Sequence, residues 1–220
     1  MFSLKDIGLN EKSPAEVILS TFYPNGKPHV SVMGVKSKGK SRVLLKIFTD
    51  TDTFSNIMKS KSAAINITRN AELITNIALR DLMNFDESRL EFISSSLVDA
   101  PILRKADAYV EIEVEKTRRT KLHDKIGTSG VAYVVAKVKN VRVQNRRVCP
   151  IDRSESFLIE SALLATRIIK ALRRGRNQVA KEIYQKLSEY RRECERIAPK
   201  SKNSSLIAKI AGSLKNQLGR

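Results

Sequence analysis

Lys27-Pro28-His29-Val30-Ser31-Val32-Met33-Gly34-Val35, Arg42-Val43-Leu44-Leu45-Lys46-Ile47-Phe48, Asp50-Thr51-Asp52-Thr53-Phe54-Ser55-Asn56-Ile57 and Ser62 to Thr68 decide how this chain folds. They read as strand, strand, short helix, strand. His29 to Lys36 alternates apolar with polar residues, the period of a half-buried strand. Ser41 to Thr49 has a continuous apolar centre and is expected to be buried. Thr53 to Ser60 carries Phe54, Ile57 and Met58 at helical spacing, with Asp52 or Thr53 as its N-cap. A lysine near the strand end, followed by hydroxyls and an amide at a helix start, suits a phosphate. The first N–H groups of a helix have no internal partner, and its dipole favours an anion there.

Working outward, Glu16 to Tyr23 is rich in β-formers and runs into Pro24-Asn25-Gly26, a hairpin signal. Ser37-Lys38-Gly39-Lys40 marks a second turn. Asn70 to Leu82 has Leu73, Ile74, Ile77 and Ala78 on one helical face, and Asn84 to Ala100 is less regular. Ala108 to Thr117 alternates cleanly, Gly127 to Gly130 reads as a turn, and Val131 to Val143 alternates again. Six strands joined mostly by short turns predict a closed or nearly closed antiparallel barrel, because closure removes exposed edges.

After Pro150 the period changes. Asp152-Arg153-Ser154-Glu155 fits a capping box. Three amphipathic helices follow, interrupted at Arg173–Asn177 and near Pro199, the last spanning Ser204 to Leu218. Their stripes, including Ile168, Leu172, Ile183, Leu187, Ile210 and Leu214, need burial, and the barrel is the nearest partner. The expected organisation is α+β: a barrel over residues 1–149 and a basic helical domain over 150–220.

Bulk composition narrows the function classes. The net charge is +18, and the stretch from Arg167 to Arg220, with fifteen Lys or Arg against four Glu, carries +11 of it. Such a tail serves solubility, an acidic partner or nucleic acid. No apolar run is long enough for a membrane span, and the N-terminus lacks a signal-peptide pattern. Cys149 and Cys194 are the only cysteines, and His29 and His123 the only histidines. A disulfide scaffold and a metal site are therefore not expected, both histidines read as incidental, and a reducing cytoplasm is the default. The dinucleotide, protease and hydrolase motifs GxGxxG, HExxH and GxSxG are absent.

Several blocks in order carry a resemblance. They are Met33-Gly34-Val35, Lys46-Ile47-Phe48 with Thr51-Asp52-Thr53-Phe54-Ser55-Asn56, Ala63-Ala64-Ile65-Asn66-Ile67-Thr68, Ala100-Pro101-Ile102-Leu103-Arg104-Lys105-Ala106-Asp107-Ala108-Tyr109, and Pro150-Ile151-Asp152-Arg153 with Ile159-Glu160-Ser161-Ala162. Over nearly its whole length the chain resembles an archaeal and bacterial family of uncharacterised FMN-binding split-barrel proteins with a helical C-terminal domain. That family belongs to the flavin reductase and pyridoxamine-phosphate-oxidase-like group. The resemblance implies an antiparallel split β-barrel and a homodimer with FMN near the subunit interface. It implies a flavin phosphate near Lys46, Thr51, Thr53 and Asn56, and a ring packed along the backbone of Ser31, Val32, Met33 and Gly34. In that family a basic residue often stands where this chain has Asp52, and a carboxylate repels a phosphate unless it turns away.

Each of these residues also has a plainer reading. Lys46 can be a strand-end lysine reaching for water, Thr53 a helix cap, Asn56 a surface residue, Met33 core filler and Arg153 a solvated helix-start cation. The functional expectation is an FMN-binding protein, with a flavin-dependent oxidoreductase as its enzymatic form, whose substrate and redox partner are not readable. No catalytic acid or base stands out. The rival is a nucleic-acid-binding protein using Arg173, Arg174, Arg176, Arg191, Arg192 and Arg196 as phosphate contacts. Against the rival stands the scarcity of aromatic platforms, with Trp absent.

Overall fold

The computed structural model describes residues 2–11, 14–124, 126–144, 153–199 and 201–219. It divides into two compact units: Met1–Arg69, Glu87–Leu122 and Thr128–Arg147 form the first, and Asn70–Asp86, His123–Gly127 and Val148–Arg220 the second.

The first unit is built on β1 (Ala15–Phe22), β2 (Pro28–Ser37), β3 (Arg42–Phe48), helix α1 (Asp52–Ser60) and β4 (Ser62–Ile67). A small hairpin of β5 (Phe92–Ser94) and β6 (Pro101–Leu103) follows, then the long strands β7 (Ala108–Asp124) and β8 (Gly127–Val143). Six strands close an antiparallel barrel in the order β1-β2-β3-β8-β7-β4. The first hairpin is set by Pro24-Asn25-Gly26: Gly26 takes a φ of 79°, and Phe22 pairs with Pro28. Inward-facing Val17, Leu19, Met33, Val35, Val43, Leu45, Ile47, Ile65, Val110, Ile112 and Val134 fill the interior. Alternation alone places them there, since β-strand side chains point to opposite faces in turn.

Two expectations need correction here. β3 is not buried on both faces: Val43, Leu45 and Ile47 point inward, while Arg42, Lys46 and Phe48 are exposed and Leu44 is half-buried. Nor do residues 127–130 turn, because β8 already begins at Gly127. Gly130 is required for a different reason. A β-carbon there would overlap Thr49 Oγ1, while Thr49 N donates to Gly130 O at 3.0 Å. That contact pins the end of β3 just before α1 begins.

The second unit contains α2 (Ala71–Ala78), α3 (Arg80–Met83), α4 (Arg153–Arg173), α5 (Asn177–Ile197) and α6 (Lys202–Leu218). The expected single helix over 70–82 is broken at Leu79, whose φ of −121° and ψ of 35° are not helical. Asn70 caps α2 by accepting from Leu73 N at 2.9 Å. The stripes of α4, α5 and α6 meet each other and residues 71–83: Leu158, Ile168, Leu187, Ile207, Ile210 and Leu214 share one core with Ala71, Leu79, Met83 and Ile126. Burial of these stripes, expected against the barrel, is thus met within the unit itself. Cys194 lies fully buried in this core with Sγ 3.4 Å from Ser204 Oγ, inert by burial. Cys149, the proposed capping Asp152, the side chain of Arg153 and the 149/150 boundary lie outside the described residues.

Candidate functional site

The strand-to-helix junction brings the expected residues into two groups that face different ways. Thr51 is the N-cap of α1: its Oγ1 accepts from Phe54 N at 3.3 Å and donates to Phe48 O at 2.7 Å. The cap is therefore neither Asp52 nor Thr53. Asp52, first in the helix, turns its carboxylate to Tyr23, whose hydroxyl donates to it at 3.1 Å.

Thr53 and Asn56 lie one turn apart on the buried face of α1. Thr53 Oγ1 stands 2.8 Å from Ser31 Oγ and 2.9 Å from His29 Nε2. Asn56 Nδ2 donates to Thr21 Oγ1 at 3.2 Å, and Thr21 pairs with His29 across β1 and β2. The Tyr23 ring meets the His29 ring edge-on at 4.9 Å. A polar chain thus runs Ser31–Thr53–His29 beneath α1, with Asn56–Thr21 beside it. Thr53 has a single proton. If it donates to Ser31, His29 must donate through Nε2–H, and the Ser31 proton is then directed elsewhere. If Ser31 donates, Thr53 donates to an unprotonated His29 Nε2. The state of the imidazole and the direction of the Ser31 hydroxyl are coupled.

Lys46 belongs to the other group. It lies exposed on the outer face of β3, paired with Tyr133 of β8. Phe48, two residues on, and Tyr133 are each 38% exposed, unusual for aromatic rings on a barrel wall. Val32 is half-buried on the outer face of β2, and Met33 belongs to the core. Gly34 also looks outward, but the space its missing side chain leaves is taken by Pro14, whose Cβ would stand 3.2 Å from an added Cβ.

So the structure groups Ser31, Thr53 and Asn56 as a buried network, holds Thr51 as a cap, and leaves Lys46 on the wall outside. The sequence reading missed His29, Tyr23, Thr21, Phe48 and Tyr133. Their signal was present in the spacing. His29 and Ser31 are two apart on one strand, hence on one face, and Thr53 and Asn56 are three apart on one helix.

A closed six-stranded antiparallel barrel followed by C-terminal helices is the α+β barrel class that the sequence led us to expect. The chain belongs to the family of the protein of unknown function (DUF447): residues 15–141 match the model of its N-terminal domain. Its fold is that of the crystal structure of an FMN-bound protein from Methanosarcina mazei carrying the same family model. The TM-score is 0.68 at 20% identity, over 96% of this chain and 99% of that one. Flavoredoxin of Desulfovibrio vulgaris is similar over 62% of this chain and 73% of its own, at 13% identity and a TM-score of 0.47. The flavin reductase PheA2 is similar over 61% and 82%, at 17% identity and a TM-score of 0.47. Among the described residues no helix is long and apolar enough to cross a membrane, and no cluster of metal-ligating side chains occurs.

Proposed function

We propose that this protein binds FMN at the β3–α1 junction and acts as a flavin-dependent oxidoreductase. The observation that carries the reading is an exposed lysine, Lys46, on the strand that leads into the N-terminus of a capped nine-residue helix, with two exposed aromatic rings on the same wall. The donor set fits a phosphate monoester. Lys46 supplies the cation, and the first-turn N–H groups of α1 supply aligned donors. Asp52 is drawn off by Tyr23, which lessens its repulsion of an anion there. Phe48, Tyr133 and half-buried Val32 offer apolar faces for a ring. The FMN of the Methanosarcina mazei protein, whose fold this chain shares from end to end, supports the assignment.

When bound, FMN supplies electron-pair transfer; the protein binds, orients and screens it. In this reading Lys46 and the start of α1 hold the phosphate, and the β2 backbone from Ser31 to Gly34 faces the ring. Thr51, Thr53 and Asn56 act one step back: they fix α1 and the junction so that its N–H groups stay aimed. A homodimer in which a second copy covers Phe48 and Tyr133 completes the reading, since paired exposed aromatics favour an interface.

The test is titration of the purified protein with FMN and with riboflavin, read by flavin fluorescence. FMN is expected to bind at least tenfold more tightly. Lys46→Ala should remove about 1.5–3 kcal/mol of FMN binding, the range for a hydrogen bond to a charged group, and leave riboflavin nearly unchanged. Equal affinity for the two flavins in the parent protein would move the phosphate away from this junction.

A further inference from the structure

A second feature lies on the barrel wall at the other end of α1. β4 ends its pairing with β7 at Ser62 and Glu113, and beyond that point α1 runs beside β7 instead. Val114 N donates to Lys61 O at 2.8 Å, Thr117 Oγ1 reaches Met58 Sδ at 3.7 Å, and the Arg119 guanidinium stands 5.1 Å over the Phe54 ring. Phe54, Met58 and Lys61 fall at i, i+4 and i+7, one face of the helix. Between that face and β7 lies a cleft of about 400 Å³.

Its chemistry is one-sided. Met58 and Val114 give it an apolar floor, and Lys61, Lys116 and Arg119 are exposed around it. Glu115 is the one acid among the lining residues, and it is held by Arg42 with Nε at 2.7 Å and Nη2 at 3.4 Å. Counting Arg42 with the lining residues, four cations face one carboxylate. The negative end of α1 offsets only about half a charge. Lys61 also sits where a lysine is out of place. Its φ is +59°, and among the described residues the only other non-glycine at positive φ is Asn84. Glycine is the low-cost residue at such a helix end. A lysine held there against its backbone preference points to a use for the side chain.

We infer that this cleft binds a small phosphorylated aromatic molecule, its phosphate between Lys61, Lys116 and Arg119 and its ring on Met58 and Val114. The site is separate from the β3–α1 junction and does not rest on the flavin reading. The volume suits a single ring carrying one phosphate. Arg119, with one face on Phe54, still presents its N–H edge to a phosphate.

Isothermal titration of the full-length protein with phenyl phosphate tests this. One site per chain is expected, with phenyl phosphate at least tenfold tighter than benzyl alcohol and weakened by added salt. Lys61→Gly is the discriminating variant. It relieves the backbone, so thermal stability should rise while phenyl phosphate affinity falls about fivefold or more, opposite directions that a purely structural lysine would not produce. Lys116→Ala should weaken binding similarly, and Lys59→Ala, exposed on α1 but outside the cleft, should not. Absence of saturable binding, or binding by Lys61→Gly and Lys116→Ala as tight as by the parent protein, would overturn the inference. So would displacement of phenyl phosphate by FMN at one-to-one stoichiometry, which would make the cleft part of a flavin site. Failure of FMN to bind in the separate fluorescence titration would leave this result standing.

Discussion

Replacing Glu111 by glutamine is the most direct probe of what fixes the barrel's outer wall. Glu111 is fully buried on β7 and points away from the barrel interior. Its Oε1 accepts from the hydroxyl of Ser95, from Ser96 N at 3.0 Å and from Leu97 N at 3.1 Å. Its Oε2 accepts from Asn140 Nδ2 at 2.6 Å, tying β7 to β8. Burial alone would raise the carboxyl's pKa, but the bonds from Ser95, Asn140, Leu97 and Ser96 outweigh it and hold it below the ordinary 4.5. Glutamine keeps one oxygen for the three loop donors but sets its amide against that of Asn140, which must flip. Bonds to a charged acceptor are worth about 1.5–3 kcal/mol and neutral ones about 0.5–1.5. The donors share one oxygen, so the losses do not add in full, and Glu111→Gln should cost about 2–3 kcal/mol at neutral pH. A depressed carboxyl stabilises the fold above its unfolded pKa, and that stability disappears as pH falls through the lower folded value. The gap between parent and variant should therefore be full above the ordinary carboxyl value of 4.5 and shrink as pH falls through the lower folded value. Urea unfolding across that range reads the gap, and amide exchange at Ser96 and Leu97 localises it. A gap that stays constant with pH, or one below about 0.5 kcal/mol at pH 7, would refute the assignment of charged bonds as the cause.

Thr53→Val leaves His29 Nε2 and the Ser31 hydroxyl facing a methyl group in a buried place; it should cost about 1–3 kcal/mol in urea unfolding, and an unchanged midpoint would deny the network a structural role. Ending the chain after residue 144 strips Ala71, Leu79 and Met83 of the core they share with α4 and α6; light scattering should show aggregation, and a soluble truncated barrel would contradict it. Phe48→Asp should halve the mass measured by multi-angle light scattering if a second copy covers that wall, and a mass that is already monomeric in the parent would remove the dimer from the proposal.

Much of the fold was legible because each strand obeys one simple rule. The alternation in β2, β7 and β8 sorts their residues into barrel interior and exterior, and Pro24-Asn25-Gly26 fixes the first hairpin. β3 misled because Leu44-Leu45 gives it an apolar centre without making both faces buried; what covers the outer face is a tertiary question that a local pattern does not answer. Residues 127–130 misled because glycine was read for its turn preference, whereas Gly130 serves close approach by Thr49. The short β5–β6 hairpin was not legible. Its three-residue strands carry little pattern, and Glu111, fourteen to sixteen positions beyond the loop residues that it holds, organises that loop only once the barrel has formed. The partner of the C-terminal stripes was hidden for the same reason. Residues 70–86 leave the barrel after β4 in sequence, yet they complete the helical core.

The candidate site shows the same division between local and tertiary information. A strand-end lysine, hydroxyls and a helix start were all readable, and the expectation that all of them touch one ligand treated them as equivalent. Packing separates them. Thr53 and Asn56 spend their hydrogen bonds on Ser31, His29 and Thr21, and Thr51 uses its hydroxyl on Phe48 O and Phe54 N. A phosphate competing for those groups would have to break buried bonds, each costing about 1–3 kcal/mol to leave unmade. Lys46 and the backbone N–H groups of Asp52 and Thr53, which precede the capped Phe54 N, carry no such cost. In the site proposed above, a preference for FMN over riboflavin would rest on Lys46 and on the aim of α1, and the buried hydroxyls would act by holding that aim. The two roles separate in measurement. Loss of Lys46 should lower FMN affinity without lowering the melting temperature, whereas Thr53→Val should lower the melting temperature first and weaken both flavins alike. If Thr53→Val instead abolished the preference for FMN in a protein as stable as the parent, Thr53 would be a direct phosphate ligand and the division drawn here between wall and network would be wrong.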